Sequence, residues 1–374
     1  MIIKELKLIN HRNYINERII FHENTNILIG KNAQGKTNLL EAIFLCARGY
    51  SFKSLKEEKI INFNKEESYL KAQILIGKRK RSVEIKLSTR DKKLIRINEL
   101  EIESLKEMKS QFGVVIFSPE ELRIIKDTPS IRRKFIDDII INNDILYKKL
   151  LTDYNKIRFD RNNLLKRSLK DRYSDQMMAA LDRQLVEYGS KIAIYRYKYT
   201  FMLKEFAKKY HRILSSSKES LDISYDNNFT EDLSSLEAIK KEFLKTIEDN
   251  KNREHDQATS LYGPHKDDLR ISINDLDTRV YASQGQQRTA MLSLKLAEAK
   301  LIENLTGVKP ILLLDDVFSE LDVLRSRLLV EAIKGYQTII TTNDLNNLNT
   351  SNMYGNVYKI EAGKIEKLET GERK

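Results

Sequence analysis

Thr25-Asn26-Ile27-Leu28-Ile29-Gly30-Lys31-Asn32-Ala33-Gln34-Gly35-Lys36-Thr37 decides how this chain is read. A strand-like apolar run enters Gly30 directly, and Thr37 to Ala47 follows with Leu39, Leu40, Ile43 and Phe44 at helical spacing. Between them, Gly30 to Thr37 satisfies the phosphate-loop pattern G-x-x-x-x-G-K-[ST] in full. Glycines at the two ends let the backbone turn so that successive N–H groups surround a β-phosphate, and the following helix directs its positive N-terminus at the same anion. Lys36 is placed to reach the β- and γ-phosphates, and the Thr37 hydroxyl to ligate Mg²⁺. A glycine-containing surface turn is the plain alternative, and the strand-loop-helix setting argues against it. The nucleotide-binding set is therefore Gly30, Lys31, Asn32, Ala33, Gln34, Gly35, Lys36 and Thr37, extended to Asn38.

A phosphate loop needs a carboxylate for its metal, and Ile311-Leu312-Leu313-Leu314-Asp315-Asp316 supplies an apolar strand ending in two acids. Asp315 suits the Mg²⁺ shell, and Asp316 is placed to polarise or deprotonate an attacking water. Alone, the segment reads equally well as a strand ending in a solvated acidic turn. Tyr281-Ala282-Ser283-Gln284-Gly285-Gln286-Gln287-Arg288 leads into a helix with Ala290, Leu294, Ala297 and Leu301 on one face. Two readings stand here. Ser283 caps the helix while Gly285 eases the turn, or Ser283, Gly285 and Gln286 form a second anion site at the helix N-terminus.

Outward from these motifs, Ile2 to Leu8, Tyr69 to Ile76, Ser82 to Leu87 and Leu94 to Ile97 read as strands. From Ser130 to Leu214 the pattern becomes long, charged and helical, without proline. Ser215-Ser216-Ser217 breaks it; Leu221 to Tyr225 reads as a strand, Leu236 to Ile247 as a helix, and strand-like sequence returns from Leu269. The length, 374 residues, implies roughly two domains. With 41% hydrophobic and 32% charged residues, disorder and collagen-like composition are excluded. The net charge of +12 favours a polyanionic partner. Cys46 is the single cysteine, which removes disulfide frameworks and cysteine zinc sites and fits a reducing compartment. Neither a signal peptide nor a membrane span is read, so a cytoplasmic protein without a membrane partner is expected. His255, Asp256, His265, Asp267 and Asp268 match no standard zinc or calcium spacing, and a hydrogen-bonded corner is the expectation. Arg79, Lys80, Arg81, Lys148, Lys149, Arg158, Arg161, Arg167 and Arg172 read first as solvated faces.

The order phosphate loop, Ser-x-Gly-Gln, acidic strand and Ser319-Glu320-Leu321-Asp322 resembles that of ABC-type ATPases. The resemblance implies ATP held between two subunits, with Ser283 acting on the γ-phosphate of the partner. Wide separation of Lys36 from Ser283 resembles the split heads of SMC proteins, but the insertion is far too short for their long arms. Nearly the whole chain is similar to the RecF family of DNA replication and repair proteins. His11-Arg12-Asn13-Tyr14, Pro119-Glu120-Glu121-Leu122, Arg132-Arg133-Lys134-Phe135-Ile136-Asp137, Gly263-Pro264-His265-Lys266-Asp267-Asp268 and Ser283 to Arg288 carry that similarity.

The resemblance implies an α/β fold: an ABC-type ATPase head (P-loop NTPase) built from 1–125 with 270–374, and a mainly helical lobe inserted over 126–269. It implies ATP and Mg²⁺ as cofactors, catalytic roles for Lys36, Asp316 and Ser283, metal ligation by Thr37 and Asp315, and nucleotide contacts from Arg12 and Asn13. It further implies an ATP-dependent homodimer that clamps double-stranded DNA and single-/double-strand junctions, with a weak DNA-dependent ATPase activity. Partners would be RecR and RecO-type mediators in recombinational repair, at a nucleoid-associated cytoplasmic location. Arg48, Lys53 and Lys56 are the preferred DNA-facing group. Asp316 stands where many ABC proteins have Glu, which implies slow hydrolysis. Gln73 and Gln111 are candidates for the glutamine that links metal to the opposite lobe, and Thr341-Thr342 occupies a position that is His in many transporters. An SMC-like structural tether and a transporter ATPase subunit are the alternatives; the short insertion weighs against the first and the basic excess against the second.

Overall fold

A computed structural model describes residues 1–53, 56–102, 113–168, 175–230, 232–233, 235–345 and 354–368. They form two compact units: Met1–Leu122 with Tyr210–Lys218 and Met291–Lys374, and Arg123–Lys209 with Glu219–Ala290. Both ends of the chain thus build the first unit. The expected limits, 1–125 with 270–374 and 126–269, differ from these because the divisions at 209/210 and 290/291 fall inside the helices Asp175–Leu214 and Gln284–Thr306. Backbone bonds keep a helix continuous whichever core its side chains join. Ser283, Gly285 and Gln286 consequently belong to the second unit.

The first unit is two six-stranded sheets with a helix between them. In one, the phosphate-loop strand Thr25–Ile29 lies parallel to Thr338–Thr342 on one side and Gly355–Glu361 on the other. Ile311–Asp315 continues parallel beyond Thr338–Thr342, with Val114–Phe117 at the edge, and Lys364–Leu368 closes the opposite edge antiparallel. Ile311–Asp315 and Thr338–Thr342 are buried at every position, as parallel strands covered on two faces must be. The other sheet is antiparallel, in the order Tyr14–Ile20, Ile2–His11, Glu67–Ile76, Arg79–Ser88, Leu94–Ile97, Leu100–Glu101. Its strand Glu67–Ile76 alternates, with Ser68, Leu70, Ala72 and Ile74 inward.

The helix Lys36–Arg48 packs in the core shared by the two sheets, and all but Thr37 and Asn38 of its residues are buried. A helix apolar on nearly every face has to be sandwiched in this way. Burying Leu39, Leu40 and Ile43 contributes roughly 1.5–3 kcal/mol each, before entropy is counted. That packing fixes the helix start, and with it the loop.

The second unit combines the helices Pro129–Asn143, Ile145–Ser168 and Leu236–Asp249 and most of Asp175–Leu214 with a small antiparallel sheet. In that sheet Asp268–Ile273 lies between Leu221–Asp226 and Leu276–Asp277. Arg161, read as a solvated residue, is 1% exposed and donates to Asp182, Glu254 and Ser260 at 2.6–2.9 Å, because a buried guanidinium needs its carboxylates. Arg172 and Gln111 lie outside the described residues. Among the described residues no helix is long and apolar enough to cross a membrane.

Candidate functional site

Three parallel strands end at one edge of the mixed sheet, so Gly30, Asp316 and Asn343 follow directly on neighbouring strands. Ligands of open α/β sheets sit at such carboxyl ends. Here the phosphate loop is clamped from two sides. From the turn between the first two strands, Asn13 Nδ2 donates to the Gln34 carbonyl at 2.7 Å and the buried Tyr14 hydroxyl to the Gly35 carbonyl at 2.9 Å. From the hairpin at residues 362–363, the Gly363 N–H donates to the Gln34 carbonyl at 3.1 Å and the Ala362 N–H to Gln34 Oε1 at 2.6 Å. Glycine is required at two points. A Cβ on Gly35, whose φ is +119°, would lie 2.6 Å from Asn13 Nδ2, and one on Gly30 would lie 2.3 Å from the Ile360 carbonyl oxygen. The helix begins at Gly35 without a side-chain cap and with no acid in its first turn, leaving its positive end uncompensated by its own side chains.

Lys36 directs Nζ at the loop itself, donating to the carbonyls of Gly30 (2.5 Å) and Lys31 (3.0 Å) and to Asn343 Oδ1 (2.7 Å). Burial lowers its pKa, while Asp316 and Asp315 oppose that shift. Thr37 Oγ1 donates to Asp315 Oδ1 at 2.8 Å, and Thr341 Oγ1 donates to the same oxygen at 2.8 Å. The Thr341 hydroxyl in turn accepts from the Asp316 N–H at 2.9 Å. Burial raises the Asp315 pKa against the two hydroxyl bonds that favour its charge. Asp316 adopts a left-handed backbone, φ 53°, and its buried Oδ1 has no hydrogen-bond partner among the described residues.

These residues fit a Mg²⁺-nucleotide. The hydroxyl and carboxylate oxygens of Thr37 and Asp315 are the hard donors such an ion takes, and several waters and phosphate oxygens would complete its shell. The orphaned Asp316 oxygen is a polar group that a ligand or water has to satisfy.

Around this centre, Arg12 forks onto Glu41 through bonds of 2.7 and 2.8 Å, and Ser51 Oγ also donates to Glu41. Burial would raise the Glu41 pKa, but the bonds from Arg12 and Ser51 hold it below the usual value. Asn38 donates to Asn13 Oδ1 at 2.9 Å and accepts from Lys53 Nζ at 3.2 Å. Thus Asn13 touches the loop directly, whereas Arg12 braces the helix behind it.

Several expectations change. Arg48, assigned to a DNA-facing group, is 4% exposed and donates to the Val114 carbonyl at 2.7 Å; its position in the last turn of a sandwiched helix buries it. Lys53 and Lys56, the other two of that group, are exposed, and Lys53 donates to Asn38 Oδ1 beside the site. Gln73 lies on the outer face of the antiparallel sheet, opposite the inward Ala72 and Ile74, and lines a groove with Lys4, Lys80 and Arg81. Thr341 and Asn343 take part in the site more closely than was read. The sequence signal for them is short, only Ile339-Ile340 before Thr341, because this buried parallel strand is mostly threonine.

Ser283 caps the helix Gln284–Thr306 by a reciprocal pair of bonds: the Gln286 N–H donates to Ser283 Oγ at 3.2 Å, and the Ser283 N–H donates to Gln286 Oε1 at 2.8 Å. This is a capping box. Ser283 and Gly285 are not fully buried, and Gln286 Nε2 also donates to Glu219 at 3.0 Å. The capping reading of this segment is therefore present in the structure, and it leaves a helix N-terminus at the surface of the second unit.

Comparison with known proteins gives concordant matches. The profile of the RecF/RecN/SMC N terminal domain matches residues 2–366. A DNA replication and repair protein RecF of Clostridium perfringens (strain SM101 / Type A) is 37% identical over 98% of this chain and 100% of its own length. That of Alkaliphilus oremlandii is 40% identical over 91% of this chain and 93% of its own. The solved recombination mediator protein RecF-ATPrS in the RecFOR pathway superposes with a TM-score of 0.88 at 35% identity, covering 98% of each chain. An Smc head domain of Pyrococcus furiosus shares the fold at TM-score 0.56 and 17% identity, over 98% of this chain and 96% of its own.

Proposed function

Because the chain belongs to the RecF family of DNA replication and repair proteins, we propose that it binds ATP with Mg²⁺ at Gly30 to Asn38 and uses the bound nucleotide to close two copies on duplex DNA. The observation that carries the reading is the convergence of Thr37, Thr341 and Asp315 beside Lys36. Mg²⁺, held by Thr37 and Asp315, would neutralise β- and γ-phosphate oxygens. Lys36 exchanges the loop carbonyls for phosphate oxygens, a charge-assisted contact stronger than the neutral ones it leaves. Asp316 polarises the attacking water, and its orphaned oxygen is the acceptor for that water.

Ser283, Gly285 and Gln286 of one copy would meet the γ-phosphate held by the other, the exposed helix start supplying N–H donors and a positive end. ATP then acts as a timer. Binding favours the closed dimer on double-stranded DNA and single-/double-strand junctions, and slow, DNA-dependent hydrolysis to ADP and phosphate reopens it. The net charge of +12 supports a phosphate-contact interface. The biological role that fits is recombinational repair at gaps and stalled forks, helping RecR and RecO-type mediators to load a recombinase in the cytoplasm, at the nucleoid.

Sedimentation of the full chain with and without ATP, and with and without gapped duplex, tests this reading. Dimers that form only with ATP, and that bind the duplex with an affinity falling steeply with salt, are expected. A chain that remains monomeric with saturating ATP and DNA would refute the clamp.

A further inference from the structure

Two of the family segments take no part in the nucleotide site, and the second unit brings them together. Arg132 grips Asp268 through bonds of 2.7 and 2.8 Å, and Arg133 donates to the Asp267 carbonyl at 2.6 Å. Asp137 is held by Arg196 through two bonds of 2.8 Å and by the Tyr147 hydroxyl at 2.6 Å. Arg196 also donates to the Pro264 carbonyl at 2.6 Å. Framed by these bonds is a cavity of about 300 Å³, whose lining includes Arg133, Lys134, Tyr154, Arg158, Arg196 and His265.

The charges that face this cavity do not balance. Arg196 is matched by Asp137, and Lys134 by Asp138 at 2.9 Å. Arg133 gives its hydrogen bond to a carbonyl, and Asp267 behind it has its pKa pushed up to about 7 by burial, against the pull of Arg196. Arg158 makes no hydrogen bond or ion pair with any described residue, although it is only half-buried. Two guanidiniums that no described carboxylate side chain pairs therefore line one hollow, whose wall also carries Ile141, Leu151 and Pro264. His265 shares the wall with its ring already engaged: Nδ1 accepts from the Tyr154 hydroxyl at 2.8 Å, and the Nε2–H donates to the Ser260 carbonyl at 3.0 Å. Burial lowers its pKa to about 4, and Arg158, Lys266 and Arg133 push in the same direction, as a positive field would.

We propose that this cavity is a second anion site, separate from the phosphate loop, which takes a phosphate group between Arg133 and Arg158. Planar guanidiniums match phosphate oxygens in geometry and stay charged when partly buried. The volume is at the small end of ligand sites and admits a phosphate with one substituent, so either a free phosphate or a backbone phosphate of nucleic acid has the required chemistry. The framing pairs Arg132–Asp268 and Arg196–Asp137 both lie within the second unit.

The test uses the full chain carrying Lys36→Ala, so that the phosphate loop does not take the probe, with ¹⁵N-histidine labelling. Inorganic phosphate is titrated in one arm and a short 5′-hydroxyl DNA duplex in the other, at constant ionic strength, while the His265 ring resonances are followed. A saturable shift is expected in at least one arm, and Arg158→Gln should weaken that binding by roughly tenfold or more, the loss of a charge-assisted contact. Arg158 has no partner to orphan among the described residues, so this variant keeps its fold; Arg133→Gln, read the same way, is the second variant. Shifts with phosphate alone identify a small-anion site, and shifts with duplex that phosphate reverses identify a backbone contact. Non-saturable shifts in both arms, or binding unchanged by Arg158→Gln and Arg133→Gln, would overturn the proposal. Failure of ATP binding at Lys36 would leave this result untouched, so the two readings fail separately.

Discussion

Thr37 Oγ1 donates to Asp315 Oδ1 over 2.8 Å, joining residues 278 positions apart in the chain. Asp315 is nearly buried, its pKa raised by burial and pulled back by Thr341 and Thr37. A buried carboxylate served by two neutral hydroxyls gains from a cation more than one already paired with Lys or Arg. Asp315→Asn keeps the shape and removes the charge. Calorimetric titration should show that chelating Mg²⁺ weakens ATP binding in the wild type but makes little difference in the variant. Unaltered Mg²⁺ dependence in Asp315→Asn would remove Asp315 from the metal site.

Lys36 and Asn343 separate binding from turnover. Lys36→Ala loses a charge-assisted contact to phosphate and should weaken ATP roughly tenfold to a hundredfold. Asn343 holds Lys36 Nζ at 2.7 Å from the end of a neighbouring strand and so positions the ammonium. Asn343→Ala should leave ATP affinity within about threefold, because Lys36 retains its charge, while kcat falls more than KM changes. Equal loss in kcat and in affinity would instead place Asn343 on the nucleotide.

Much of this centre was legible because its parts carry strong local constraints. Gly30, Gly35, Lys36 and Thr37 form a loop whose glycines cannot be replaced without collision, so the pattern itself encodes the backbone. Asp315 ends an unbroken apolar run that only a parallel strand explains. Tyr14–Ile20 is not among the strands that the sequence signals, because an edge strand buries only Tyr14 and Ile19 and shows no period. Arg48 and Arg161 read as surface cations since composition cannot tell a solvated guanidinium from one that a distant carbonyl or carboxylate will meet. The Arg132–Asp268 pair spans both family segments, yet nothing in either segment alone names its partner.

Ser283 has a structural duty in the single chain, and two substitutions divide it from a dimer role. Ser283→Ala removes the cap and should cost about 1 kcal/mol of stability in urea unfolding. Ser283→Arg adds bulk and positive charge at the exposed helix start, and ATP-driven dimers should vanish in sedimentation while monomers still bind ATP. Dimerisation that survives Ser283→Arg would refute the proposed meeting of Ser283 with the partner's nucleotide.

Acid should weaken the first unit through His11. Its ring is fully buried beside the Asn38 carbonyl, and burial pushes its pKa to about 4 from 6.5. The folded state resists a proton that the unfolded state accepts, so the contribution is whole above pH 6.5 and is lost as pH falls towards 4. That loss is about 3 kcal/mol across the window. Asp267, in the other unit, acts in the opposite sense: raised from 3.8 to about 7, it favours folding at low pH and loses that contribution as pH rises through the same range. Chemical denaturation at pH 6.5 and pH 4 should therefore show a smaller acid loss for His11→Gln, which cannot titrate, than for wild type. An identical pH dependence would show that His11 titrates alike in the folded and the unfolded chain.

Arg12 poses the question of support against contact. Its guanidinium meets Glu41, whose side chain is 0% exposed, while its own is 21% exposed. Removing Arg12 leaves a buried carboxylate with Ser51 as its remaining close donor, which for a buried pair costs about 3–5 kcal/mol. Partial exposure of Arg12 puts the expected loss for Arg12→Ala at the low end of that range, with Glu41 moving to a higher pKa. If Arg12 only braces the helix, Arg12→Ala lowers stability and leaves ATP affinity nearly unchanged, and Arg12→Ala with Glu41→Gln recovers part of the loss, since the orphaned charge is gone. If instead Arg12 touches the nucleotide, as the family resemblance implies, affinity falls in both variants and Glu41→Gln rescues none of it. Urea unfolding and ATP titration of the same two proteins decide between these outcomes. Asn13→Ala serves as the reference, because Asn13 reaches the loop itself through the Gln34 carbonyl.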